Sequence, residues 1–399
     1  MAAIPEERKA VREAKIEIPK SELEKYEDRI AKQYAKRVRI PGFRPGKAPV
    51  SIVKQRYRED IEAQALNEAI KEKVKQQFEN LDIISEIKVK SIDDAGDKYE
   101  VLVEFETIPE IEIPDLTAIE VKKKIYKISD LDVANYIEEL RKKLAELKDV
   151  EDRGIQEGDI VIADMEEYDK DGKLVDSGPV RIIYKKDELD ERLYDLMADK
   201  KVGDSVEITF DDGSKQVFKI RKIQEEKLPE LNDEFAQLHG YTSLEEMKQK
   251  IREQLEEDAR RRSEEEFEME IINKIYEMYP FETPPRFVEN AYRNLLQQVQ
   301  IPQFESDEQR EEFQRQLIAY AQQLVARELI LETLAKKRNI EVTEEDVKEY
   351  LKFIGEKNPE AYIKQAKKRK QYDRLVYLTR LKKAADYLKS TVKAEIVVE

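Results

Sequence analysis

The sequence predicts an α+β protein whose helical and sheet parts follow one another in separate blocks. Three observations carry this. Helical and strand-like segments mix over the first hundred or so residues, apolar alternation of period two dominates from Gly158 to Gln224, and almost everything after Leu228-Pro229-Glu230-Leu231 has helical spacing. At 399 residues the chain exceeds what one compact core holds, so two or three domains are expected.

Ser21-Glu22-Leu23-Glu24 has the form of a capping box. Leu23, Tyr26, Ile30 and Tyr34 then recur at helical spacing, which predicts a helix to about Arg37, stopped by Pro41 and Gly42. Pro49 suits the first turn of a further helix that continues to about Glu79. Ile83 to Lys90 and Tyr99 to Ile108 alternate as strands, joined by a turn at Ala95-Gly96-Asp97. Pro109 and Pro114 close this first block, 1–113.

Residues 114–153 read as a linker, with a strand from Val121 to Tyr126 and a helix capped by Ser129. That helix carries a narrow stripe, Ile137, Leu140, Leu144 and Leu147, which must lean on another element. The insert, 154–227, holds short strands at Ile160-Val161-Ile162, Leu174-Val175, Ile182-Ile183, Val206-Glu207-Ile208 and Val217 to Ile220. Tight turns are expected at Asp171-Gly172 and Asp212-Gly213, and one helix carries Leu189, Leu193, Leu196 and Met197. In the block 228–399, breaks fall at Pro280, Pro284-Pro285, Pro302 and Asn358-Pro359, and helix starts at Ser306 with Gln309 and at Thr343 with Asp346.

Composition removes whole classes of chemistry. There is no cysteine, so disulfides, thiol nucleophiles and Cys-ligated zinc are excluded, and the one histidine, His239, excludes triads and sites that need two imidazoles. His239 precedes Gly240 near a helix end and reads as a surface or capping residue. Carboxylate pairs such as Glu225-Glu226 and Glu256-Glu257 read as solvated faces of an acidic chain. No phosphate-loop sequence occurs, so no nucleotide is expected, and no metal or other cofactor is implied. The N-terminus lacks an apolar targeting core and no apolar run approaches the ~20 residues of a membrane span, so a cytoplasmic protein without membrane contact is expected.

Against a net charge of −16, one stretch reverses sign. Between Ile30 and Arg58 there is no Asp or Glu, whereas Lys32, Lys36, Arg37, Arg39, Arg44, Lys47, Lys54, Arg56 and Arg58 all occur. A Gly/Pro-rich loop at its centre places Phe43 beside Arg44. A ring next to a guanidinium suits docking on nucleic-acid phosphate and a protein groove together, although a solvated basic helix face is the ordinary fate of such a run.

The order of residues decides between the two. Gly42-Phe43-Arg44-Pro45-Gly46-Lys47-Ala48-Pro49 resembles the Gly-Phe-Arg-x-Gly-Lys-x-Pro docking loop of the bacterial trigger factor family. The resemblance extends along the chain and implies an extended three-domain architecture. The parts are an α/β ribosome-binding domain, a small antiparallel-sheet domain like an FKBP-type prolyl isomerase, and an all-helical C-terminal domain with arms. It implies that Gly42, Phe43, Arg44, Pro45, Gly46, Lys47 and Pro49 meet a tunnel-exit ribosomal protein and rRNA. Many relatives carry a basic residue where Pro45 stands.

Family isomerase domains use an aromatic pocket to desolvate and twist a bond whose rotation barrier is about 18–20 kcal/mol. Here the candidate pocket is Met165, Leu193, Tyr194 and Phe218, with Met165 where the family has Phe and the hairpin Phe210 to Ser214 too short for a flap. Weak or lost isomerase activity is the expectation. Tyr168, Tyr184, Phe210 and Phe218 read as sheet packing. In the helical block, Phe287, Tyr292, Leu296, Phe313 and Tyr320 are the candidates for binding nascent or unfolded polypeptides, with helix–helix core as the alternative. The final Ala394 to Val398 is expected to return as a strand, and a homodimer off the ribosome is compatible with the family. The reading is thus an ATP-independent chaperone; its rivals are an active prolyl isomerase whose helices recruit substrate and a scaffold that binds nucleic acid directly.

Overall fold

The computed structural model describes residues 4–38, 40–44, 47–304 and 306–399. The fold is α+β, and backbone contacts divide it into two compact units, Met1–Lys124 with Ser263–Val397 and Ile125–Arg262 with Val398–Glu399.

The first unit opens on strand β1 (Val11–Pro19), not anticipated from the sequence, followed by helices α1 (Lys20–Arg37), α2 (Val50–Arg56) and α3 (Arg58–Gln77) and strands β2 (Lys88–Asp94) and β3 (Lys98–Glu106). The antiparallel sheet runs β1-β3-β2. Ala14, Ile16 and Ile18 of β1 and Val101, Val103 and Phe105 of β3 face inward on Leu23, Ile30, Ile61, Ala65 and Val74 of the helices. Each fully buried aliphatic side chain contributes about 1.5–3 kcal/mol. The other face is a charge ladder: Lys15 pairs with Glu100, Lys98 with Glu17 at 2.7 Å, and Lys90 with Glu104 at 2.7 Å.

Several local expectations are corrected. The Ser21 capping box does not form. The β1–β3 ladder carries on to Pro19 opposite Lys98, and the Lys20 N–H bonds the Asp97 carbonyl at 2.9 Å, so α1 begins before Ser21 can sit at its cap. The helix expected to reach Glu79 is broken at Tyr57, and Pro49 stands at the N-cap of α2 instead of inside its first turn. The second strand starts at Lys88, with Ile83 contributing only an isolated bridge to Thr107. Strand β4 (Glu120–Ile125) then leaves the sheet.

In the second unit, α4 (Asp130–Lys143) starts with a capping box of Ser129 and Asp132. Val133 and Ile137, with Leu140 beside them, pack on Phe235, Ala236, Met247 and Ile251. Leu144 and Leu147 fall outside this stripe, because the helix stops at Lys143 and Leu147 enters strand β5 (Glu146–Asp149). The insert supplies four strands of a five-stranded antiparallel sheet, β6 (Ile160–Tyr168), β7 (Leu174–Ile183), β8 (Ser205–Thr209) and β9 (Lys215–Lys227), and β5, from the segment expected to be linker, is the fifth. The order is β5-β9-β6-β7 with β8 on β9. Leu174-Val175 and Ile182-Ile183 are two ends of one strand, held by pairing with β6 that shifts register once, at Val175. Helix α5 (Glu191–Met197) buries Met197, while Leu189 precedes it and Leu196 faces solvent. Helices α6 (Asp233–Leu238) and α7 (Leu244–Met278) follow.

The chain returns to the first unit within α7, at Ser263, and continues with α8 (Pro285–Gln298), α9 (Asp307–Lys337), α10 (Glu344–Phe353), α11 (Pro359–Lys368), α12 (Tyr372–Thr391) and β10 (Lys393–Val398), which pairs with β4 as the expected returning strand. Ser306 caps α9, and Thr343 with Asp346 forms a capping box on α10. The body core gathers Phe267, Ile271, Ile275 and Phe281 with Leu329, Ile330, Leu334 and Leu388, joined by Ile113, Leu116, Ile119 and Val121. Inside it, the buried Glu268 accepts from Arg327 at 2.6 Å, while Glu264 pairs with Lys389 at 3.2 Å and with Lys123. None of the described helices is long and apolar enough to cross a membrane.

Candidate functional site

The loop between α1 and α2 is built outward from a buried anchor. Ile40 is in the core, its carbonyl accepts the Phe43 N–H at 3.1 Å, and Gly42 between them takes φ +89, a conformation that a side chain would resist. The Lys47 N–H then closes on the Arg44 carbonyl at 2.9 Å. The result is an exposed tip, with the Phe43 ring 37% accessible and Arg44, Lys47 and Pro49 open to solvent. Pro45 and Gly46, also part of this loop, lie outside the described residues, as does Arg39 of the cation run.

Pairing sorts the cations by position. Lys54 bonds Asp28 at 2.8 Å and Glu27 at 3.0 Å, and Arg58 bonds Glu62 at 2.7 Å. The Lys54 ammonium holds the Asp28 carboxyl below its usual range, and Lys32 one turn further on adds to this. The run is therefore neutralised at its base. Among the described residues, Lys32, Lys36, Arg37, Arg44, Lys47 and Arg56 are exposed and have no carboxylate at ion-pairing distance. An ion that spends no charge on its own fold keeps it for a partner.

Of the four candidate pocket residues of the insert, Phe218 lies in its core and the other three are half-buried against it. Phe218 is 4% exposed and stands opposite Met165 on β6 and Val206 on β8, while Met165, Leu193 and Tyr194 pack against the same interior. Tyr194 stacks on Tyr184 at 4.4 Å with the rings parallel. Its hydroxyl donates to Glu157 at 2.5 Å, which pushes the phenol pKa up. Tyr184 is buried and Phe210 packs on the same cluster, as sheet packing requires.

The apolar series of α8 and α9 divides. Phe287, with Val288, packs on the body core, and Leu317 is buried. Tyr292 and Leu296 stay half-buried, and Phe313 tilts against Phe304 at 5.4 Å. Tyr320 is 48% exposed, and Val299, Ile301 and Ile318 are similarly open, so this helix pair leaves several large apolar side chains incompletely covered. Tyr292 and Ile318 share a groove of about 520 Å³ with Tyr276, Phe281 and Val288. Ile318 carries no periodic signal of its own in the sequence, because it adjoins the Leu317–Tyr320 stripe instead of repeating within it.

His239 is a half-buried C-cap of α6, edge-on to Phe235 at 4.9 Å, and its Nε2 is buried without a hydrogen bond. It is thus the capping residue of the two roles expected, with its ring half-packed into the fold. Glu225 accepts from Arg153 at 3.0 Å, alongside the Arg153–Asp159 pair, so it is not simply a solvated carboxylate. No group of three or more His, Asp or Glu that could hold a metal occurs among the described residues.

Comparison with known proteins is consistent along the chain. The family model described as "Bacterial trigger factor protein (TF)" matches residues 1–140, and "Bacterial trigger factor protein (TF) C-terminus" matches residues 243–390. A trigger factor of Alkaliphilus oremlandii (strain OhILAs) is 30% identical over 368 residues, covering 84% of this chain and 86% of the relative. One from Aquifex aeolicus (strain VF5) is 29% identical over 410 residues, covering 96% and 85%. A solved chain from "Promiscuous Substrate Recognition in Folding and Assembly Activities of the Trigger Factor Chaperone" aligns over 96% of this chain and 97% of its own length, at 22% identity and a TM-score of 0.47. On the sequence matches, the chain belongs to the trigger factor chaperone family.

Proposed function

We propose that this chain docks on the ribosome beside the exit tunnel through the Gly42–Pro49 loop and shields nascent and unfolded polypeptides there. The observation that carries the reading is the exposed Phe43–Arg44 tip on a chain of net charge −16, flanked, among the described residues, by cations with no carboxylate at ion-pairing distance. The cations steer the loop to rRNA phosphate, and the ring with its guanidinium seats against a ribosomal protein.

Clients meet the open face of α8 and α9. Tyr292, Leu296, Phe313 and Tyr320, with Ile301 and Ile318, offer many weak apolar contacts that need no sequence match, while Phe287 anchors α8 to the body. Weak contacts release without nucleotide hydrolysis, so the cycle runs without ATP, in the cytoplasm where ribosomes are. The insert keeps the antiparallel sheet of a prolyl isomerase domain, but Phe218 serves its core and Tyr194 is bonded to Glu157, which supports weak or absent catalysis.

A photo-crosslinker replacing Phe43 tests the docking face. It should label a tunnel-exit ribosomal protein on intact ribosomes. Labelling of unrelated ribosomal sites, or of none, would sink the reading.

A further inference from the structure

Glu282 lies in the turn between α7 and α8 and reaches the start of β1. Its Oε2 accepts the N–H of Ala10 at 2.9 Å and of Val11 at 3.2 Å, while the Glu282 N–H donates to the Arg8 carbonyl at 2.9 Å. The carboxylate thus stands in for a neighbouring strand. Ala10 is fully buried, and its carbonyl accepts from Thr107 N–H at 2.8 Å, so both its polar groups are committed.

The surroundings repeat the theme. The Arg286 N–H donates to Glu106 at 2.9 Å and its guanidinium to the Ile84 carbonyl at 3.0 Å, and the Arg8 guanidinium lies 5.3 Å from the Tyr279 ring centre. The apolar cluster of the docking block and that of the helical body share no residue. Ile108, Ile111 and Ile113 carry apolar packing from the docking block onto the body, and the hydrogen bonds of Glu282 and Arg286 add direction to it, fixing an angle where an apolar contact alone would permit sliding.

We propose that Glu282 is a positioning residue, which fixes the docking block on the helical body so that the α8–α9 face stands where a nascent chain emerges. This rests on the ribosome-docking reading above.

The test uses the full chain with Glu282→Ala, with Glu282→Asp, whose carboxylate no longer reaches, and with Glu282→Gln, whose amide oxygen still accepts. Amide exchange at Ala10 and Val11 should speed up about tenfold or more in the Ala and Asp variants and change little in Gln. Ribosome co-sedimentation should stay unchanged, because Phe43 and Arg44 are untouched. Crosslinking from position 320 to a stalled nascent chain on the ribosome should fall by about fivefold or more in Ala and Asp and recover in Gln. Unchanged exchange in both Ala and Asp would overturn the proposal, and so would faster exchange with crosslinking intact. Should the Ala variant not fold, Asp carries the same two readouts. A wild-type chain that bound no ribosomes would fail the docking reading itself, while the exchange result would still report on the clamp.

Discussion

Lys54 donates to Asp28 at 2.8 Å across the α1–α2 contact, and this pair marks where the cation run stops being a patch. Among the described residues, Lys36, Arg37, Arg44 and Lys47 on the loop side of it have no carboxylate at ion-pairing distance, whereas Lys54 and Arg58 are spent within the fold and Arg56 between them stays unpaired. The same residue type therefore has two roles within a single helical hairpin.

The division predicts a selective salt response. Lys36→Gln with Arg37→Gln should weaken ribosome binding and flatten the plot of log affinity against log salt by about 0.7–0.9 for each phosphate no longer neutralised. Lys54→Gln should leave that slope alone and affect stability instead. Titration of binding between low and physiological salt checks both.

The exposed client face predicts a separation of activity from stability. Tyr320→Asp, at a site 48% exposed, should reduce suppression of aggregation of an unfolded client with a stability change within about 0.5 kcal/mol. Leu317→Ala, three residues away and buried, should cost about 2–5 kcal/mol. Denaturant midpoints beside a light-scattering assay distinguish the two.

In the insert, Phe218→Ala should destabilise by about 3–5 kcal/mol, since the ring fills the sheet interior. The native chain should speed proline-limited refolding of a model substrate by less than about twofold over the uncatalysed isomerisation. Strong catalysis, lost in a Phe218 variant that stays folded, would restore the pocket reading.

The cap of α10 carries a pH signature. The Thr343 backbone N–H, the Lys383 ammonium at 2.9 Å and the Thr343 hydroxyl together hold the Asp346 carboxyl down at about 2, against an ordinary 3.8. A depressed folded value means that the stabilisation is complete above the unfolded value and is lost as pH falls from about 4 towards about 2. Thermal melts across that window should show a smaller acid loss for Asp346→Asn than for wild type. Thr343→Ala should cost about 1 kcal/mol at neutral pH.

Much of this was legible in the chain because it rests on local chemistry. The Pro/Gly spacing around Phe43, the capping residues Ser129, Ser306 and Thr343, and the Asp-Gly turns are short-range signals that act over a few residues. What was not legible depends on distant partners. β1 hides its alternation of Ala14, Ile16 and Ile18 behind outward Glu13, Lys15 and Glu17, whose partners Glu104, Leu102 and Glu100 lie far along the chain on β3. Its pairing also overrode the Ser21 capping box. Glu282 is invisible for the same reason: the amide it holds is 272 residues away. Lys54 and Lys36 look alike in sequence, and only the packing of α2 on α1 shows which one is paired.

The most direct measurement is ribosome co-sedimentation of the native chain beside a Phe43→Ala, Arg44→Ala double variant, at matched salt and with both shown to be folded. Binding by the native chain and its loss in the variant is the expected result. Equal binding by the two, or tight binding of the native chain to naked RNA with none to ribosomes, would contradict the account.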